Sequence, residues 1–123
     1  MRASALKLIV VFGLAVLATQ SALAGDEAPA AKETPPKFTK AYLDDSKNQK
    51  AGEVIWQEQC RHCHGASAYP GKAPKLKPYR YKPAFVFDRI TNGFRKMPAW
   101  IDIYSKQERM ALVAFILSDD FSP

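Results

Sequence analysis

Apolar residues along this chain of 123 residues gather in four stretches, and the first differs from the rest. Leu8 to Ala18 is an unbroken apolar run. The other three mix apolar and polar positions with a helical period. From Asn48 to Gln59, Val54, Ile55 and Trp56 form an apolar side, while Lys50, Glu53, Gln57 and Glu58 face water. Gly52 and Trp56 lie four apart on one face, so a second helix could cross closely there. Taken alone, the pair is more simply an ordinary core tryptophan beside a tolerated glycine. Pro83 suits the first position of a second helix, whose apolar side is Phe85, Val86, Phe87 and Ile90. Asn92-Gly93 stops it, with Gly93 placed for a left-handed cap. Ser105-Lys106-Gln107-Glu108 is a capping box that opens a last helix, Lys106 to Leu117. Met110, Val113, Ala114 and Leu117 follow the 3, 4, 7 spacing, and Leu112, Phe115 and Ile116 extend the apolar surface nearly all round. No strand alternation and no internal repeat occurs. The pattern predicts an all-α chain of three main helices, joined by long loops over 65–82 and 94–104.

The ends change the picture. Arg2 and Lys7, the apolar run, and Ala22-Leu23-Ala24 read as a secretory signal peptide over 1–24, cleaved after Ala24. The run is too short for a bilayer, which needs about 20 residues. Nothing later in the sequence forms a second apolar segment, so no stable membrane insertion is expected and the mature protein should be soluble in the periplasm. Residues 25–46 are rich in Ala, Pro and Lys and lack apolar periodicity, which predicts a flexible tail. The domain is then expected over 47–120. The net charge is +6, and losing Arg2 and Lys7 with no acid lowers it to +4.

The chemistry concentrates in Cys60-Arg61-His62-Cys63-His64, which holds both cysteines and both histidines of the chain. Two cysteines three apart, with a histidine directly after the second, form an attachment site for c-type haem. Thioethers from Cys60 and Cys63 would fix the ring plane and leave His64 under the iron. Covalent attachment takes place outside the cytoplasm in bacteria, which agrees with export. A zinc site would need a second Cys/His cluster, and the sequence has none. Thioredoxin-like chemistry would need a βαβ context, and the flanks read as helical. A plain disulfide remains compatible with an exported protein. His62 points away if His64 points toward the ring, so it is read as a surface residue.

A sixth iron ligand is scarce. Met110 falls on the core stripe of the last helix. Met97 sits in a loop before Pro98, after a helix stop. The 33 residues from His64 to Met97 could span roughly 110 Å, ample to pass round a porphyrin edge. A His/Met pair raises the reduction potential and leaves no open position. The expected cofactor is one haem c, with its iron, per chain.

These residues resemble the small monohaem class I cytochromes c of bacterial periplasms. The likeness spans roughly residues 48–118 and rests on Cys60 to Gly65, on Gly52 with Trp56, and on Ile90-Thr91-Asn92-Gly93 followed by Met97-Pro98-Ala99-Trp100. It implies a cytochrome c fold in which the first helix crosses the last, Gly52 and Trp56 meeting Leu112 and Phe115. It also implies that Pro74 offers its carbonyl to the free N–H of His64, with Pro70 a second candidate. The segment from His64 to Met97 is short for that family, and the N-terminal tail is longer than the fold requires.

Eight basic residues and one acid, Asp88, lie between Lys72 and Lys96. A solvated surface is the plain reading of such a run, and export disfavours nucleic acid. If these loops border the haem, they form a docking face for an acidic redox partner: a dehydrogenase, a cytochrome complex or a terminal oxidase. Tyr79, Tyr81 and Trp100 are candidates to line the haem edge or to be partly buried. The expected function is one-electron transfer, as a soluble shuttle or a small subunit, without enzymatic activity. A haem enzyme or gas sensor with an open sixth position is the alternative, and a thiol–disulfide protein a third.

Overall fold

The computed structural model describes residues 33–66 and 71–121. Five α-helices follow one another: α1 Lys40–Leu43, α2 Ser46–Ile55, α3 Arg61–His64, α4 Pro83–Asn92 and α5 Lys106–Ile116. A π-helical turn, Trp56–Cys60, joins α2 to α3, and a 3-10 turn, Pro78–Arg80, lies in the loop before α4. The β structure among the described residues is an isolated bridge between Phe94 and Met97. The chain is thus all-α, and its three main helical stretches fall where the apolar pattern predicts them.

Local chemistry accounts for the ends. Asp45 caps α2 by accepting the Lys47 N–H at 2.8 Å. Pro83 opens α4, and Gly93 ends it with φ +69°. Ser105 and Glu108 form the reciprocal capping box of α5. The ends at Pro83, Gly93 and Ser105 were readable because a cap depends on residues within one turn, whereas α2 starts at Ser46, ahead of the expected Asn48.

Packing is dominated by the crossing of α2 and α5. A Cβ on Gly52 would lie 2.1 Å from the Ala111 carbonyl oxygen and 2.8 Å from the Phe115 Cβ. Only hydrogen fits there, so the glycine sets how closely the two backbones approach. Trp56 fills the space beside the crossing. Its ring meets Phe121 edge-on at 4.7 Å and Phe115 at 6.3 Å. Burying an aromatic side chain of this size stabilises by about 2–3 kcal/mol.

Several expectations need correction. Val54 is 48 % exposed and Phe85 is 46 % exposed, so neither joins the core. In α5, Arg109 and every residue from Ala111 to Ile116 are buried, while Met110 and Leu117, placed on the expected stripe, are half-buried. The expected boundaries of 47 and 120 also fall inside the packed unit. Phe121 is fully buried, and Phe38 and Leu43 pack against the core. Part of the predicted flexible tail therefore has defined structure. Thr39 caps α1, Asn48 and Gln49 donate their side-chain amides to the Tyr42 and Leu43 carbonyls, and Glu33 pairs with Lys106 and Arg109. Two isolated apolar residues have no period, so only the surface that receives them reveals their role. The signal-peptide reading of 1–24 lies outside the described residues.

Candidate functional site

The site begins at the π turn. The Arg61 N–H bonds to the Trp56 carbonyl, five residues back, so the helix carries one extra residue just before the cysteines. The chain then returns to α-helix over Arg61–His64. Residues at positions 60, 63 and 64 share one face of such a turn. His62 lies on the other side, exposed, with Nε2 3.0 Å from the Glu58 carbonyl. Gly65 closes the helix, and the Trp56 indole N–H donates to the Gly65 and Ala66 carbonyls, both at 3.1 Å. The Trp56 and His64 rings lie 5.6 Å apart. Downstream, the Ala73 N–H donates to the Cys63 carbonyl at 2.7 Å and brings the following loop back onto the motif.

Cys60 is half-buried and Cys63 exposed, and no disulfide joins them. Burial, and then the proximity of Cys63, pushes the Cys60 thiol up to about 12. Dithiol exchange needs a thiolate near neutral pH, which this environment opposes. Burial also pushes the His64 imidazole down from its ordinary value, favouring the neutral ring that can offer a lone pair to a metal. Its Nδ1 is buried with no hydrogen-bond partner among the described residues. The bond from His64 to the Pro74 carbonyl, implied by the family resemblance, is therefore not made here. Pro74 is exposed, next to the Ala73 amide that anchors the loop on Cys63. Pro70 lies outside the described residues.

Met97 occupies a tight turn. Phe94 and Met97 exchange N–H to carbonyl bonds, each 3.0 Å, across Arg95 and Lys96. Arg95 takes φ +55°, left-handed for a residue with a Cβ, which costs on the order of 1 kcal/mol. Gly93 receives the turn: a Cβ there would lie 2.5 Å from the Met97 carbonyl oxygen and 2.8 Å from the Ala99 nitrogen. The Trp100 N–H then donates to the Ile90 carbonyl at 3.0 Å. Met97 is left half-buried against the core that Cys60, Leu76, Tyr81, Trp100 and Tyr104 also border.

The donors present fit a haem c. Cys60, Cys63 and His64 follow one another on one helical turn, the His64 Nδ1 is buried and orphaned, and Cys60 and Met97 both pack against the apolar core. No group of three or more His, Cys, Asp or Glu side chains is assembled among the described residues. Of the aromatic candidates, Tyr79 is exposed, Tyr81 is half-buried and its hydroxyl accepts the Lys77 N–H, and Trp100 stacks on Tyr104 at 5.6 Å. The basic residues are mostly solvent-facing. Arg89 lies over the Phe85 and Phe94 rings at 5.0 and 4.2 Å, and Arg95 over Phe94 at 5.1 Å.

The sequence reading missed Arg109. This cation, on α5, is 4 % exposed. Its spacing to Leu112, Val113 and Ile116, a charge in register with an apolar stripe, was the available signal.

Comparison with known proteins agrees with this geometry. Residues 47–116 match the family model described as cytochrome c oxidase, cbb3-type, subunit III. The cytochrome c subunit of 4-cresol dehydrogenase (hydroxylating) from Pseudomonas putida is 34 % identical over 68 residues, which is 55 % of this chain and 58 % of that protein. The chain thus spans less than two thirds of that relative's length. Among solved structures, cytochrome cL of Methylophaga aminisulfidivorans MPT superposes with a TM-score of 0.54 at 25 % identity, covering 66 % of each chain. The c-type cytochrome NirC superposes at 0.52 with 21 % identity over 64 % of this chain and 99 % of that one, a likeness of fold. This chain belongs to the family of c-type cytochromes typified by cbb3-type cytochrome c oxidase subunit III, and its domain is an electron-transfer domain with covalently bound haem c.

Proposed function

We propose that the chain is a periplasmic one-electron carrier in which Cys60 and Cys63 would hold the haem covalently and His64 and Met97 would ligate its iron. A haem bound there supplies a ferric/ferrous couple. His64 contributes a neutral nitrogen whose position is set by the helical turn and by the Trp56 ring beside it. Met97 contributes a soft sulfur that favours ferrous iron and so raises the potential. With His64 and Met97 both committed to the iron, the chain would leave small oxidants no site to bind, which favours electron carriage over bond chemistry. The observation that carries the reading is the pinned turn. Phe94, Gly93 and Ile90 all fix the backbone around a half-buried Met97, and an incidental surface methionine needs no such fixing.

The partner proposed is a dehydrogenase with an acidic surface. The likeness to a dehydrogenase's cytochrome subunit supports the first part, and the solvent-facing basic residues from Lys72 to Lys96 support the second. Among the described residues no helix is long and apolar enough to cross a membrane.

The test is Met97→Ala in the haem-loaded protein. The ferric sulfur–iron absorption band should vanish, the reduction potential should fall, and carbon monoxide should bind the reduced form faster. A wild-type protein that already binds carbon monoxide rapidly, and a band that survives the substitution, would favour an open-site enzyme or sensor.

A further inference from the structure

We infer that Arg109 is a positioning residue for the Met97 loop, tying together the two ends of the segment that presents the sulfur; the inference rests on the His64/Met97 reading above. The loop runs from Gly93 to Ser105, between α4 and α5. Arg109 reaches both ends of it. Its Nη1 donates to the Thr91 Oγ1 at 2.6 Å, in the last turn of α4. Its Nε donates to the Tyr104 carbonyl at 3.1 Å, just before α5. Its remaining Nη2 donates to Glu33 at 2.7 Å, and the guanidinium lies 5.1 Å from the centre of the Phe87 ring.

The link continues inward. The Tyr104 N–H donates to the Trp100 carbonyl, and the Trp100 N–H donates to the Ile90 carbonyl, both at 3.0 Å. Trp100 is three residues from Met97, whose own turn is closed on Phe94. Arg109 therefore shortens the free span of the loop at its base, and the inner bonds carry that restraint toward the sulfur. Untied, a loop of this length samples many more conformations, and each one that withdraws the thioether competes with ligation. Three differently directed bonds from one planar group explain why arginine stands here. A lysine ammonium is a point donor and cannot hold all three. Glu33 balances the charge and offsets part of the desolvation cost of holding a cation in the core.

A purely structural role would move global stability and nothing else, so the test reads the iron. In the haem-loaded protein, Arg109→Lys and Thr91→Val should each lower the pH at which alkaline titration abolishes the ferric sulfur–iron band. Each should speed carbon monoxide binding to the reduced form about tenfold, the factor for losing one hydrogen bond to a charged group. Val113→Ala, equally buried in α5 but without a bond to the loop, should lower the denaturation midpoint and leave both readings at wild type. If Arg109→Lys and Thr91→Val move the readings no further than Val113→Ala does, the inference is overturned. Should Arg109→Lys fail to fold, Thr91→Val decides alone. A band lost in Met97→Ala but unmoved in these variants refutes the inference and leaves the ligation standing. A band retained in Met97→Ala refutes both.

Discussion

Trp56 illustrates how much one side chain can organise. Its ring packs against Phe115 and Phe121, and its indole N–H holds the two carbonyls that follow His64. Trp56→Phe keeps most of the packing and removes the donor. The haem-loaded variant should lose about 1 kcal/mol in denaturant unfolding, the value of a part-buried hydrogen bond whose acceptors water can partly reach. An unchanged midpoint would mean that the two carbonyls find other donors. At this scale the roles proposed for Cys60, Cys63 and His64 come from the sequence, because attachment chemistry depends on spacing within one turn. The role implied for Pro74 was not, because a carbonyl's partner depends on the path of an eighteen-residue loop from 65 to 82.

Among the elements, the α2–α5 crossing decides the architecture. Gly52→Ala would place a methyl group against a backbone carbonyl, which cannot rotate away as a side chain could. The helices must separate, and overpacking of this kind costs about 1–3 kcal/mol. Thermal unfolding of the haem-loaded protein should show a clearly lowered midpoint; an unaltered one would show that the crossing yields freely. The existence of the three main helices followed from period, and the ends of α4 and the start of α5 from their caps; the ends of α2 did not. The π turn at Trp56–Cys60 did not, since an inserted residue leaves the 3.6 period intact on either side of it. Phe85 and Val54 were misplaced for a related reason. Periodicity names an apolar face without saying how much of it a neighbour covers.

For the whole molecule, the N-terminal approach matters more than its composition suggests. The hydrogen bond from Arg109 is the main influence holding the Glu33 carboxyl below its ordinary value of 4.5, with Lys106 helping. A carboxylate lowered in the folded state adds stability that is fully present above its unfolded value. That stability is lost as pH falls through the lowered one. Acid unfolding of the wild type should therefore lose this contribution below about pH 4.5, whereas Glu33→Gln should show a smaller acid dependence. Equal acid profiles for the two proteins would mean that the pair contributes nothing in solution.

By itself the sequence determined the three main helices, the caps at Pro83, Gly93 and Ser105, and the Cys60 to His64 spacing, because each is written within a few neighbouring residues. Tertiary structure alone decided that Phe38 and Phe121 enter the core, that Arg109 spans the loop of Met97, and that the His64 Nδ1 is left without an acceptor among the described residues. Those outcomes depend on which distant surfaces meet. A local pattern records that a residue is apolar or charged, and only the packed chain supplies the partner that gives it a role.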